Sequence, residues 1–345
     1  MLGAVVWVAL LTAGQVIFGQ NRRLVVVPWL ALGPLAASLV AGWKATAVVA
    51  VAAVSAVAFL SDRVGDLDTG IGLVRVVGSA ALAAFAVFSA RVREQRENRI
   101  LVMAQIATVA QTAIQHPAPA QVAGLALASR YVSASADALV GGDLFDVVAS
   151  DQAARIIVGD VRGKGLSAVH TAAAVLSAFR HTAPLPNIGL DEVAHRIEAA
   201  LMPGLGPEDF VTAVLCDVHA DGRLDLVLCG HPAPLKLVAG SDPVPVGLQG
   251  SPPLGLGVRP RVAATTLEPG ERLLLFTDGL IEARASDGRF FDLLDEARVL
   301  VPLGPWSVET LDADLERLLG RVRQHVGGIL SDDLAVLLVE PLPHA

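Results

Sequence analysis

The sequence predicts an α+β protein in two parts: an all-α membrane region, then a domain of largely antiparallel sheets with helices packed outside. Three observations predict it. Long uncharged runs are confined to the first ninety residues. Beyond about residue 125 the hydrophobic pattern changes to short apolar strands joined by tight turns, with a few amphipathic helices among them. Composition agrees: 53% of the 345 residues are hydrophobic and 17% are charged, against roughly 25% charged in an average soluble domain, and mean hydropathy is +0.58.

Leu2 to Gln20, Leu24 to Trp43 and Ala45 to Ser61 carry no charge, and Ile71 to Ala90 carries only Arg75. At about 1.5 Å per residue each run approaches the roughly 20 residues that cross a bilayer core. Residues 1–90 therefore read as a transmembrane region of four helices, with three as the alternative count. A cleaved signal peptide would supply one such run. Arg75, near the start of its run, suits an interfacial anchor whose head snorkels to water. In a four-helix arrangement Lys44, Arg91, Arg93, Arg96 and Arg99 share one side, and Arg22, Arg23 and Arg63 the other. Five cations against three put the C-terminal region in the cytoplasm of a multi-pass cell-membrane protein, with membrane lipid as the partner of the spans.

Residues 91–115 (RVREQRENRILVMAQIATVAQTAIQ) lack Gly and Pro and set Ile100, Met103, Ile106, Val109 and Ala110 at three- and four-residue steps. This spacing predicts an amphipathic helical linker that stops at His116 and Pro117. Its stripe fits either a plain spacer or a homodimer helix, and the seam is too short to decide.

The remainder, 116–345, reads as one domain. Strands are expected at 125–132, 144–149, 154–159, 211–218, 223–229, 233–238, 261–267, 271–277 and 334–339, and helices at 166–181, 190–202 and 308–326. Short turns such as Ala220, Asp221 and Gly222 make successive strands hairpins, hence the antiparallel sheets. Residues 91–345 hold 21 of the 26 Lys and Arg and 31 of the 34 Asp and Glu, a net charge of −10 that disfavours nucleic acid as a partner. Cys216 and Cys229 lie in apolar runs and are too few for a zinc cage, so they read as buried free thiols.

Chemistry is expected where apolar strands stop at acids: GGDLFDV at 141–147, VGDVRGKG at 158–165, LLLFTDGLIEAR at 273–284 and SDDLAVLLV at 331–339. Each sets an Asp beside a buried strand, often next to glycine. Brought together, such carboxylates form a hard oxygen site suited to Mg²⁺ or Mn²⁺, and two ions sharing an Asp would activate water and clamp a phosphoryl group. Taken singly, each has a plainer reading: Asp278 and Gly279 as a turn, Asp160 as a cap, Asp332 and Asp333 as a solvated loop. Four in this order, with Gly-Lys-Gly and Gly-His-Pro between them, are hard to assign to turns alone.

In order, SRYVSASADALVGGDLFDV, VGDVRGKGLSAVHTAAAV, LCGHPAPL, SPPLGLG, LLLFTDGLIEAR and SDDLAVLLV resemble the SpoIIE/RsbU-type serine phosphatases, the bacterial branch of the metal-dependent PP2C (PPM) class. The resemblance covers roughly 125–340. A membrane segment and linker ahead of such a domain is similar to the membrane-anchored members found in actinobacteria. The resemblance implies an αββα sandwich of two mostly antiparallel sheets, and hydrolysis of phosphoserine or phosphothreonine on a protein with two Mn²⁺ or Mg²⁺ ions. The usual substrate is a phosphorylated STAS-domain anti-sigma-factor antagonist. Carried over by position, Asp160 bridges both metals and the carbonyl of Val161 is a further ligand. Asp278 and Asp332 complete one shell, and Asp143 contacts metal directly or through water. Asp146 and Asp333 are nearby secondary candidates. Eukaryotic relatives have a histidine two residues after the bridging Asp, where this chain has Arg162. Arg162 and Lys164 are candidates for holding phosphate, and His231 is a candidate either for the missing acid or for a structural hydrogen bond. Two rival readings are a catalytically silent signalling module of the same fold and a GGDEF-like nucleotidyl cyclase. For the cyclase, GGDLFD has Leu144 where that signature has an acid, and the TDG and SDD motifs have no place.

Overall fold

The structure, a computed structural model, describes residues 12–13, 30, 32–65, 67–114, 118–133, 141–150, 153–219, 221–247, 249–301, 308–328, 330 and 332–342. The chain divides into two compact units, residues 1–102 and 103–345.

In the first unit, α1 (Leu32–Val40) and α2 (Trp43–Val64) are separated by a break at Ala41 and Gly42, and α3 begins at Gly70 and runs to Ile114. Gly65, left-handed at φ 73°, ends α2 and donates its N–H to the carbonyl of Asp62. Among the described residues, two helices are long and apolar enough to cross a membrane, Trp43–Arg63 and Gly70–Ile100. They contain the third and fourth expected spans. The first expected span lies outside the described residues apart from Thr12 and Ala13, and the described part of the second is the short helix α1 with Leu30. Expected span and linker are one continuous helix in α3, because nothing between Ala90 and Arg91 interrupts helical backbone: no Gly or Pro occurs from residue 79 to 114. The helices meet near the cationic end. Arg93 donates to the carbonyl of Ala41 at 2.7 Å, and Glu94 accepts the N–H of Trp43 at 3.0 Å, so two α3 side chains satisfy backbone groups that α1 and α2 leave open. The Arg91 guanidinium lies 5.3 Å from the centroid of the Trp43 ring.

The second unit is a two-sheet sandwich. One sheet has the order β1-β2-β12-β11-β7-β8, built from β1 (Gln121–Val122), β2 (Leu125–Val132), β7 (Leu235–Leu237), β8 (Val244–Pro245), β11 (Arg272–Phe276) and β12 (Leu334–Pro341). The other has the order β10-β6-β5-β4-β3, from β3 (Leu144–Ala149), β4 (Ala153–Val161), β5 (Val211–His219), β6 (Arg223–Cys229) and β10 (Ala263–Thr266). β9 (Gly250–Ser251) joins β6 in the parallel sense, and the other strand pairs are antiparallel. Alternation along the strands makes three apolar layers. In β12, Ala335, Leu337 and Val339 face the layer between the sheets, where they meet Ile156, Val158, Val214 and Leu226. Val336 and Leu338 face outward onto Leu311, Leu315 and Leu318 of α8 (Val308–Val326). Ile157 and Leu215 of the other sheet face α4 (Leu166–Thr182) and α5 (Leu190–Leu201). Strands buried on both faces explain the unbroken apolar runs IIV and LLLF. Two short helices, α6 (Asp278–Ile281) and α7 (Leu293–Glu296), and the two-residue strands were not expected, being too short for any period to show.

Candidate metal centre

Strand polarity gathers the acids. The start of β3 and the end of its antiparallel neighbour β4 fall at one end of their sheet, and the end of β11 and the start of β12 fall together in the other. Asp143 precedes β3, Asp160 is the penultimate residue of β4, Asp278 opens α6 just after β11, and Asp332 precedes β12. Asp143, Asp160 and Asp278 each bring one carboxylate oxygen within 4.8 Å of the others. These three line a cleft of ≈ 80 Å³ with Gly141, Gly142, Val161, Gly163, Lys164 and Asp332.

Two glycines make this convergence sterically possible. A Cβ on Gly142 would sit 2.3 Å from the carbonyl oxygen of Val161, and one on Gly279 would sit 1.9 Å from that of Asp333. Any side chain there would drive the acidic loops apart. Asp333 ties them together: its Oδ2 accepts the Gly141 N–H at 2.7 Å and the Tyr131 hydroxyl at 2.5 Å, and its Oδ1 accepts the Ser133 hydroxyl at 3.2 Å. Asp333 is thus buried as an anchor rather than turned to the cleft. Asp146 is also turned away, paired with Arg180 of α4 at 2.5 Å. Asp143 is fixed by the Thr277 hydroxyl at 2.7 Å, and that hydroxyl accepts the Ala335 N–H at 2.9 Å. Asp332 lies at the rim, where its Oδ1 meets the Lys164 ammonium at 2.8 Å.

Burial, followed by repulsion from Asp278, pushes the Asp160 carboxyl up to about 7. Asp143 is raised well above the usual carboxylate range, first by burial and next by Asp160. Asp278 is raised by burial, then by Glu282 and Asp332. Such groups take up protons unless a cation compensates them. The all-oxygen donor set, the room Gly142 leaves beside the Val161 carbonyl, and this crowding of buried carboxylates all fit Mg²⁺ or Mn²⁺.

Arg162 does not line the cleft. Its guanidinium lies 5.4 Å from the Phe210 ring centroid and donates to the carbonyl of Glu208, so the loop before β5 engages it. His231 is buried between strands: Nε2 donates to the Phe276 carbonyl at 3.0 Å, leaving Nδ1 to accept the Thr212 hydroxyl at 3.1 Å. Burial lowers it to about 4. A ring with both nitrogens engaged away from the cleft is a strut between β5 and β11, which decides between its two expected roles. Thr277 and Tyr131 were missed as individual residues, although both stand inside quoted motifs. Cys216 and Cys229 are buried free thiols, as expected. A larger cavity of ≈ 210 Å³ lies at the opposite end of β4, but the Arg155 and Asp217 charges on its wall are paired with each other at 2.7 Å.

The fold has known counterparts. The RsbU and RsbW domains of Rv1364c from Mycobacterium tuberculosis superpose with a TM-score of 0.57 at 25% identity, over 66% of this chain and 64% of that one. This chain thus spans somewhat under two thirds of that protein's length. The SiaA-PP2C domain of Pseudomonas aeruginosa gives 0.57 at 17% identity, over 72% of this chain and 97% of that domain. The PP2C phosphatase domain and regulatory-domain fragment of SpoIIE from Bacillus subtilis gives 0.52 at 16%, over 64% of each chain. The two-sheet unit is therefore a PP2C-like fold. Residues 150–341, more than half of the chain, match the model of the family described as Stage II sporulation protein E, and on that match the chain belongs to the SpoIIE family, its second unit a phosphatase domain of PP2C type.

Proposed function

We propose that the protein is a membrane-anchored, metal-dependent protein serine/threonine phosphatase. The observation that carries this reading is the meeting of Asp143, Asp160 and Asp278 at one end of the two sheets. Asp160 would bridge two ions, Val161 would add its carbonyl, Asp278 and Asp332 would complete one shell, and Asp143 would serve directly or through water. When bound, the ions supply the nucleophile from water and neutralise the phosphoryl oxygens. The chain's own part is placement: Thr277 holds Asp143, Asp333 holds the 141 loop, and His231 holds the strands on which Asp160 and Asp278 depend.

The substrate class is a phosphorylated regulatory protein, a STAS-domain anti-sigma-factor antagonist in the first instance. Supporting it are the family membership and the likeness to an RsbU domain. For anchoring, the supporting facts are the two apolar helices and their exposed faces, with Val74, Phe85 and Phe88 each more than 60% exposed. For a cytoplasmic phosphatase domain, they are Lys44 and Arg91 at one end of the helices and Arg63 at the other. A reporter fused at Ala345 should be active on the cytoplasmic side, and activity confined to the outer side would overturn the orientation.

The activity is tested by phosphate release from a phosphoserine peptide by the full chain in detergent. Release should need Mn²⁺ or Mg²⁺ and stop with EDTA. Asp160→Asn and Asp278→Asn should each lower kcat by about a thousandfold or more while the circular dichroism stays unchanged. Full activity in rigorously metal-free protein would sink the metal reading.

A further inference from the structure

Lys164 stands between two glycines in left-handed backbone, Gly163 at φ 102° and Gly165 at φ 86°. That turn carries it over the cleft, where its ammonium meets Asp332 at 2.8 Å. The cleft otherwise presents four carboxylates, and Lys164 is the one cation among its lining residues. Asp332 is not among the three acids that converge; its Oδ1 is taken up by Lys164 and by the N–H of Asp333 at 3.0 Å. Both partners are nearly half exposed, 44% and 49%, so the pair is a weak one that solvent can exchange.

Resting on the metal-dependent reading above, we propose that Lys164 is a built-in counter-ion to Asp332, so that loading of an ion at Asp332 is an exchange of the ammonium for the metal. The other ion, at Asp160, Asp143 and the Val161 carbonyl, would need no such exchange. The ion shared by Asp278 and Asp332 would have to displace Lys164 from Asp332 and stay near its positive charge. Affinity for that ion is thereby set lower than the acids alone would give, and occupancy becomes responsive to Mn²⁺ concentration.

The test is binding, not turnover. Free Mn²⁺ is followed by electron paramagnetic resonance during titration of the full chain in detergent, for wild type, Lys164→Met, Lys164→Arg, Asp332→Asn and the Lys164→Met/Asp332→Asn pair. Wild type should show a tighter and a weaker ion. Lys164→Met should tighten the weaker ion by about tenfold, the scale of removing one neighbouring charge at a partly exposed site, and Lys164→Arg should stay near wild type. Asp332→Asn should lose the weaker ion, and adding Lys164→Met to it should restore nothing. Two ions bound with unchanged or weaker affinity in Lys164→Met would overturn the exchange while leaving the metal reading intact. Absence of Mn²⁺ binding by wild type would overturn both.

Discussion

Asp332 and Asp333 are neighbours with opposite duties, and this is where sequence reading reaches its limit at the residue scale. Entering a strand, consecutive side chains point to opposite faces. Asp332 therefore lies at the rim with Lys164, and Asp333 lies under the loop with Gly141 and Tyr131. The SDD motif marks the place without saying which acid faces which way. Asp146 is similar: its motif flags it, but three residues of strand carry it from Asp143 to Arg180. Asp160 has the clearest consequence for pH. In the metal-free protein its carboxyl titrates near 7, above the unfolded value near 4, so the folded state holds the extra proton between those values. Its contribution to stability is full below about pH 4 and is lost as pH rises through about 7. A divalent cation must displace that proton, so Mn²⁺ should bind more tightly at pH 8 than at pH 6, by about tenfold per proton released. Thermal melts should show the metal-free protein losing stability from pH 5 to 7.5 and Mn²⁺ restoring it. Equal Mn²⁺ affinity at the two pH values would show that Asp160 is ionised before metal arrives.

At the scale of elements, the long strands and helices were legible because burial imposes a period: β2, β3, β6 and α8 have the expected bounds. What was not legible is the polar stitching inside the layers. Arg272, at the start of β11, is 2% exposed, donating to Glu340 of β12 at 2.7 Å, to Asp314 of α8 at 2.5 Å and to the carbonyl of Leu300 at 2.8 Å. Partners 28 to 68 residues away leave no local signature. Here one guanidinium compensates two buried carboxylates, one in the sheet and one in the helix packed on it. Arg272→Ala would strand Glu340 and leave Asp314 to Arg317 alone, and the loss should be about 3–5 kcal/mol of unfolding free energy. Urea unfolding of the full chain in detergent, followed by far-ultraviolet circular dichroism, measures it. A loss below about 1 kcal/mol would mean that water reaches the acids and that the pair does little for stability.

For the whole molecule, the issue is how the apolar helical unit is connected to the PP2C-type unit, and the connecting element is α3, which runs from Gly70 to Ile114. A continuous helix transmits rotation or displacement along its length better than a flexible linker does. Its apolar stripe beyond the expected last span includes Ile100, 58% exposed within a single chain. The sequence repeats that stripe at Ile106 and Val109. A monomer leaves such a stripe in water, and two parallel copies would cover it. We therefore predict a homodimer through residues 91–115, in which events at the membrane alter helix packing. The change would reach α4, whose first residue follows the Asp160 to Gly165 loop, and shift the balance between loop arrangements that hold metal well or poorly. Charging the stripe with Ile100→Glu and Ile106→Glu should make the protein monomeric by light scattering in detergent and change its phosphatase rate and Mn²⁺ requirement together. A protein that stays dimeric would place the contact elsewhere. One that becomes monomeric with rate and metal requirement unchanged would reduce the helix to a spacer, leaving Lys164 and Asp332 to set metal occupancy without instruction from the membrane.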